Sequence, residues 1–134
     1  MAEIATYVAG ALAELASGST WLWILIGTFM GIIVGAIPGF TSSMATGILL
    51  PVTFALSPVN ALVFLISVYI ATIYGGSITA ILLNTPGAPE SSASTFDGYK
   101  MTLKGQGCEA LGIAFCSSAC GGLISYIFMI FAMM

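Results

Sequence analysis

The run Val59–Leu83, VNALVFLISVYIATIYGGSITAILL, decides the fold. It carries no charged side chain, and its about 25 positions exceed the roughly 20 apolar residues that cross a bilayer's hydrocarbon layer. Ser57-Pro58 opens it well, with serine as N-cap and proline at the first helical position. Gly75-Gly76-Ser77 interrupts it. The segment is either one long tilted helix or two pieces meeting at the glycines.

Similar segments flank it on both sides. Upstream, Gly18-Ser19-Thr20 offers a break and an N-cap, and Trp21–Ile37 reads as an apolar helix ended by Pro38-Gly39. Trp21 and Trp23 stand at its start, where indole rings favour the headgroup level. Phe40–Ser43 is a polar interruption. Met44–Leu56, with Pro51 inside it, reaches only about 20 Å as a helix, too short for a simple span. A broken or re-entrant helix fits better. Downstream, Asn84–Gly107 is the one long polar stretch, and Cys108–Met134 is the last apolar segment. The expected fold class is therefore all-α: a polytopic integral membrane protein with broken or re-entrant helices, forming a single membrane domain over 1–134.

Composition agrees. Apolar residues make up 59% of the 134, and charged residues 5%. A soluble domain has roughly 25% charged residues, and without them it would expose large apolar patches. Two lysines, with no arginine and no histidine, exclude nucleic-acid binding. They also leave no catalytic constellation and no metal site, so an enzyme is not expected. Cys108, Cys116 and Cys120 lack metal-knuckle spacing and read as small buried residues of a helix. Residues 1–18 contain Glu3 and Glu14 and no basic start, so they read as an interfacial helix leading in, not a signal peptide. The sequence stops inside an apolar run, which points to a fragment of a longer polytopic protein. Lys100 and Lys104 lie in the polar stretch, so the positive-inside bias places that end in the cytoplasm.

Four motifs carry functional weight. Gly27, Gly31, Gly35 and Gly39 repeat at four-residue spacing, which favours close helix packing, or a track along which helices slide. Two segments resemble each other: Pro38-Gly39-Phe40-Thr41-Ser42-Ser43 and Pro86-Gly87-Ala88-Pro89-Glu90-Ser91-Ser92, the latter trailing to Thr95. Paired interruptions in apolar helices point to a transporter's binding site, although Pro-Gly followed by serines is also an ordinary turn. A broken helix leaves N–H groups unpaired at one end and carbonyls at the other, which suits an anion or a cation. Gly39, Thr41, Ser42, Ser43, Asn84, Thr85, Pro86, Gly87, Ser91, Ser92 and Thr95 are the candidate substrate ligands. Asn84 also reads as a helix cap. Gly75, Gly76, Ser77 and Asp97 form a candidate hinge or ion site, with simple packing as the alternative. Asp97-Gly98-Tyr99-Lys100 reads as a tight, solvated turn.

These motifs, in their order, resemble the large membrane subunit of the tripartite tricarboxylate transporters (TctA-type). The likeness rests on Gly27–Gly39, on Leu50-Pro51-Val52-Thr53-Phe54 and on Tyr74–Gly87. It continues through Asp97-Gly98-Tyr99, Lys104–Gly107, Ala110-Leu111-Gly112 and Gly121-Gly122. The resemblance implies secondary active transport of di- or tricarboxylates such as citrate across a bacterial inner membrane, coupled to Na+ or H+, with no other cofactor. It implies a small membrane subunit and a periplasmic solute-binding protein as partners. Full-length members are several times longer. The competing readings are a structural or assembly subunit with no site of its own, and a channel.

Overall fold

The computed structural model describes residue 10 and residues 18–133. Its helices are α1 (Gly18–Gly35), α2 (Ser42–Thr53), α3 (Pro58–Leu83), α4 (Ala93–Leu103) and α5 (Gly107–Met133), with a single 3-10 turn at Pro89–Ser91. No strand occurs among the described residues. α1, α3 and α5 are long and apolar enough to cross a membrane. The fold is that of an all-α, multi-pass membrane protein.

α1 and α3 form the centre. A Cβ on Gly27 would stand 2.9 Å from the Phe64 carbonyl, one on Gly31 2.7 Å from the Val68 carbonyl, and one on Gly35 would collide with the Thr72 backbone. Each four-residue step along α1 is matched by a four-residue step along α3, so the two helices are parallel. Lipid offers no hydrophobic drive for association, and helices hold together through dispersion where small residues admit backbone contact. The polar side chains within this interface are satisfied locally. Thr72 Oγ1 donates to the Val68 carbonyl at 2.7 Å, and Ser67 Oγ to the Val63 carbonyl at 2.8 Å. Near the start of both helices, Thr20 Oγ1 donates to Asn60 Oδ1 at 3.2 Å.

Parallel neighbours need a return element, and α2 supplies it. Ala45 packs with Phe64 and Val68, with Leu49 and Leu56 against them, so α2 runs back along α3. The 12 residues of α2 span about 18 Å. Pro51 sits in the last turn, and the chain finishes the return through the turns over 54–57. Trp23 closes this end edge-on to Phe64, with ring centroids 6.0 Å apart. α5 descends antiparallel to α3: Gly107 adjoins Leu82, and Phe115 meets Tyr74 at 5.8 Å.

Several expectations need correction. Gly18-Ser19-Thr20 is helical, with the residues just before it outside those described, and the helix ends at Gly35 rather than Ile37. Ser42 and Ser43 belong to α2 rather than to the interruption. α3 is unbroken through Gly75-Gly76-Ser77, because both glycines are occupied by neighbouring backbone. Asp97–Lys100 is helical, since Gly98 lets α4 lie against Ile81. Gly39 stands outside the packing face, in a turn with φ +84° and nothing nearby. Cys108, Cys116 and Cys120 are exposed along α5. The interfacial helix expected over residues 1–18 lies outside the described residues, apart from Gly10 and Gly18.

The α1–α3 contact predicts a sharp contrast between glycines. Gly31→Ala should destabilise the protein by about 1–3 kcal/mol through overpacking. Gly47→Ala, on an open helical face, should be neutral or stabilise by up to about 1 kcal/mol. Thermal unfolding of the purified protein in detergent reads both.

Candidate functional site

Both Pro-Gly motifs interrupt the helical path, and Gly87 of the second packs on Gly35, at the end of the helix that precedes the first. At the first, Gly39 supplies the positive φ that turns the chain after α1. Thr41 then caps α2, its Oγ1 accepting from the Met44 N–H at 3.3 Å. Ser42 is buried and Ser43 exposed. The N–H groups of a helix's first turn have no partner within the helix, and Thr41 takes only that of Met44. Ser42 and Ser43 therefore present N–H donors beside their own hydroxyls.

The second break folds back on itself. Asn84 ends α3 in the left-handed conformation, φ 58°, a known C-terminal role of asparagine. The chain then reverses through exposed Thr85 and Pro86, and the Gly87 N–H donates to the Gly76 carbonyl at 3.4 Å. A Cβ on Gly87 would lie 2.6 Å from the Gly35 carbonyl and 2.6 Å from the Gly76 Cα. Three backbones, from α1, α3 and the loop, thus meet at glycines. The next turn is closed by Ser91, whose Oγ donates to the Ala88 carbonyl at 2.7 Å and accepts from the Ala88 N–H at 3.3 Å. Ser91 is 1% exposed, so its hydroxyl is spent inside the turn.

The remaining candidates divide clearly. Ser92 is half-buried at the start of α4, with Thr95 Oγ1 donating to its carbonyl at 2.6 Å. Thr85 Oγ1 donates to the Leu83 carbonyl at 3.0 Å, out in the open. Ser77 Oγ donates to the Ile73 carbonyl at 3.3 Å. Asp97 is exposed and pairs with Lys100 at 3.8 Å, away from the glycine junction. Among the described residues no cluster of three or more His, Cys, Asp or Glu side chains is placed to hold a metal ion.

Two threonines that bond α3 carbonyls were not among the candidate ligands. Thr79 Oγ1 donates to the Gly76 carbonyl at 3.1 Å and would stand 3.3 Å from a Cβ on Gly87. Thr102 Oγ1 donates to the Ile81 carbonyl at 2.8 Å, tying α4 to α3. Thr79 was visible as the end of the Gly-Gly-Ser-Ile-Thr run, whereas Thr102 depends on a contact across 21 residues that no local pattern signals.

A polytopic helical membrane protein whose second helix interruption packs, at a glycine junction, on the end of its first spanning helix is the class this geometry defines. The chain belongs to the tripartite tricarboxylate transporter TctA family, whose sequence pattern matches residues 21–134. An uncharacterized 52.8 kDa protein of the TAR-I ttuC′ 3′ region of Agrobacterium vitis is 38% identical over 111 residues. That match covers 83% of this chain and 22% of the relative, so the chain spans about a fifth of that protein's length. No solved structure matches.

The cap at the first break can be tested directly. Thr41→Ala should cost about 1 kcal/mol by leaving the Met44 N–H unpaired, while Thr41→Ser should retain most of the stability. Denaturation midpoints of the two variants in matched detergent check this.

Proposed function

We propose that the chain forms part of a secondary active carrier for small di- or tricarboxylates such as citrate. The observation that carries this reading is the glycine junction, which brings the turn after Gly35 and the Pro86–Ser92 loop side by side. Depth supports it. With Trp21 and Trp23 at one interface, Gly35 lies about 21 Å along α1, and Gly76 about 24 Å beyond Asn60. Both depths fall inside the roughly 30 Å hydrocarbon layer. Interrupted backbone at that depth must be buried in protein or line a wet cavity. Two helices begin beside the breaks, α2 at Ser42 and α4 at Ala93. Their N-termini carry partial positive charge suited to a carboxylate.

The ligand groups divide by how committed their hydroxyls are. Thr41, Ser42, Ser43 and Ser92 flank the helix starts and supply donors. Gly39 turns the first break, Ser91, Thr95 and Asn84 shape the second break, and Pro86 and Gly87 set its backbone path. Thr85 stands at its edge. Coupling uses Na+ or H+. Asp97 stays with Lys100 in solvent. The carrier works in a bacterial inner membrane with a small membrane subunit and a periplasmic solute-binding protein, and the Lys100–Lys104 end faces the cytoplasm.

Radiolabelled citrate uptake by cells making the full-length protein tests this. A hydrogen bond to a charged group contributes about 1.5–3 kcal/mol, so Ser43→Ala or Ser92→Ala should each weaken uptake about tenfold or more. Ser94→Ala should leave it unchanged. Wild-type accumulation against the citrate gradient separates a carrier from a channel. Full uptake by both serine variants would remove the proposed site.

A further inference from the structure

The second break is built as a separate piece. Every side-chain hydrogen bond made within Pro86–Ser92 closes inside it. Ser91 bonds Ala88 through both its N–H and its carbonyl, and the backbone bonds Ser91 N to Ala88 O and Ser92 N to Pro89 O complete the turn. Two proline rings, at Pro86 and Pro89, further limit its backbone freedom. At its α4 end the Ser92 carbonyl accepts from Thr95, from Oγ1 at 2.6 Å and from N–H at 3.2 Å; toward α1 and α3 the loop makes a single hydrogen bond, Gly87 N–H to the Gly76 carbonyl, long at 3.4 Å. Its other attachments are contacts of glycine with backbone at Gly35 and Gly76, which bury no large side chain. The flanks are held firmly instead. Upstream, α3 ends at Asn84. Downstream, α4 is fixed by Thr102 Oγ1 on the Ile81 carbonyl at 2.8 Å and by Gly98 against Ile81.

From this we infer that Pro86–Ser92 is a preassembled plug, clipped by Ser91, that leaves and re-enters its Gly35–Gly76 seat as one body. Leaving the seat breaks one long hydrogen bond and keeps every internal one, so the open form needs no refolding of the turn. Ser91 is then a positioning residue rather than a ligand: it keeps the plug's shape while the plug moves. Asn84 is a natural pivot, because its left-handed conformation already reverses the chain there. The inference concerns motion of the loop and holds whether or not a carboxylate is the ligand.

Thiol labelling in membranes tests it on the full-length protein with Cys108, Cys116 and Cys120 replaced by serine. Ala88→Cys, at a position 2% exposed, reports the seat, and Glu90→Cys, already exposed, gives the rate at an open position. N-ethylmaleimide should label position 90 quickly and position 88 slowly. Gly76→Ala places a methyl 3.1 Å from the Ala88 nitrogen and 3.2 Å from Ser91 Oγ, tilting the balance toward the open form. It should raise labelling at position 88 by about tenfold, as expected for a local opening made easier. Gly47→Ala should not. Ser91→Ala supplies a readout that does not depend on fitting a methyl into the seat. It removes the clip, so the amides of Ser91 and Ser92 should lose hydrogen-exchange protection together, whereas in Gly76→Ala they stay protected although position 88 is open. Position 88 labelling as slowly in Gly76→Ala as in the parent overturns the seat. Loss of amide protection at Ser91 and Ser92 in Gly76→Ala overturns the single-body motion, since the turn would then melt rather than move.

Discussion

Everything in this fold depends on backbone touching backbone where glycines remove the side chain. α1 and α3 lie so close that a Cβ at Gly31 or Gly35 would meet the carbonyls and α-carbons of α3. In lipid such contact replaces the hydrophobic drive that assembles soluble helices. Two consequences follow. Helices this close and parallel leave no room for a full-length return crossing between them, so α2 is short and is completed by turns. And Gly35, the last residue of the packed face, is shared: one side receives α3 and the other receives Gly87. The residue that closes the core therefore also seats the loop.

Polar side chains inside the apolar bundle obey the same constraint. Ser67, Thr72, Ser77 and Thr79 each donate to a carbonyl of their own helix, the local solution open to serine and threonine when water is absent. Such hydroxyls are already committed and add little to ligand binding. Those at helix starts differ, because the first turn of a helix leaves N–H groups without partners. Hydroxyl content alone therefore says little about a site in this chain. Position relative to a helix terminus separates Ser43 and Ser92 from Ser77 and Ser91.

The legible part of the sequence was its periodicity and its breaks. The apolar lengths marked three spanning helices, the four-residue glycine spacing marked the packed face of α1, and both Pro-Gly pairs do end or reverse a helix. Asn84 caps α3, as its place before Thr85-Pro86 suggested. What could not be read locally was whatever depended on a distant partner. Gly75-Gly76 looked like an interruption because two glycines weaken an isolated helix, yet α1 and the loop fill the space beside them and α3 runs through. Asp97-Gly98 looked like a turn, but Gly98 is the flat spot that lets α4 lie on Ile81. The exposure of the cysteines belongs to the same class, since it is set by what packs against α5 and not by residue type. For the candidate site, the residues were legible and their division of labour was not: nothing local tells that Ser91 turns its hydroxyl back on Ala88 while Ser92 does not.

The absence of arginine bears on what kind of binding the proposed site allows. A fully charged side chain at bilayer depth costs at least about 2.5–3.5 kcal/mol, and an arginine clamp would hold a carboxylate tightly in return. Helix N-termini avoid that cost and contribute about 0.3–2 kcal/mol each, with single hydroxyls adding increments of similar size. A ligand held this way is gripped by several modest interactions that can be lost one after another. For a carrier of the proposed kind, weak and divisible contacts are an advantage, and placing some of them on a loop held to its Gly35–Gly76 seat by one long hydrogen bond makes the release mechanical as well as chemical. Under the proposed reading, affinity and motion are then coupled at Gly87: whatever moves that residue off Gly35 and Gly76 also shifts the loop that carries Ser92, weakening the grip as the loop opens.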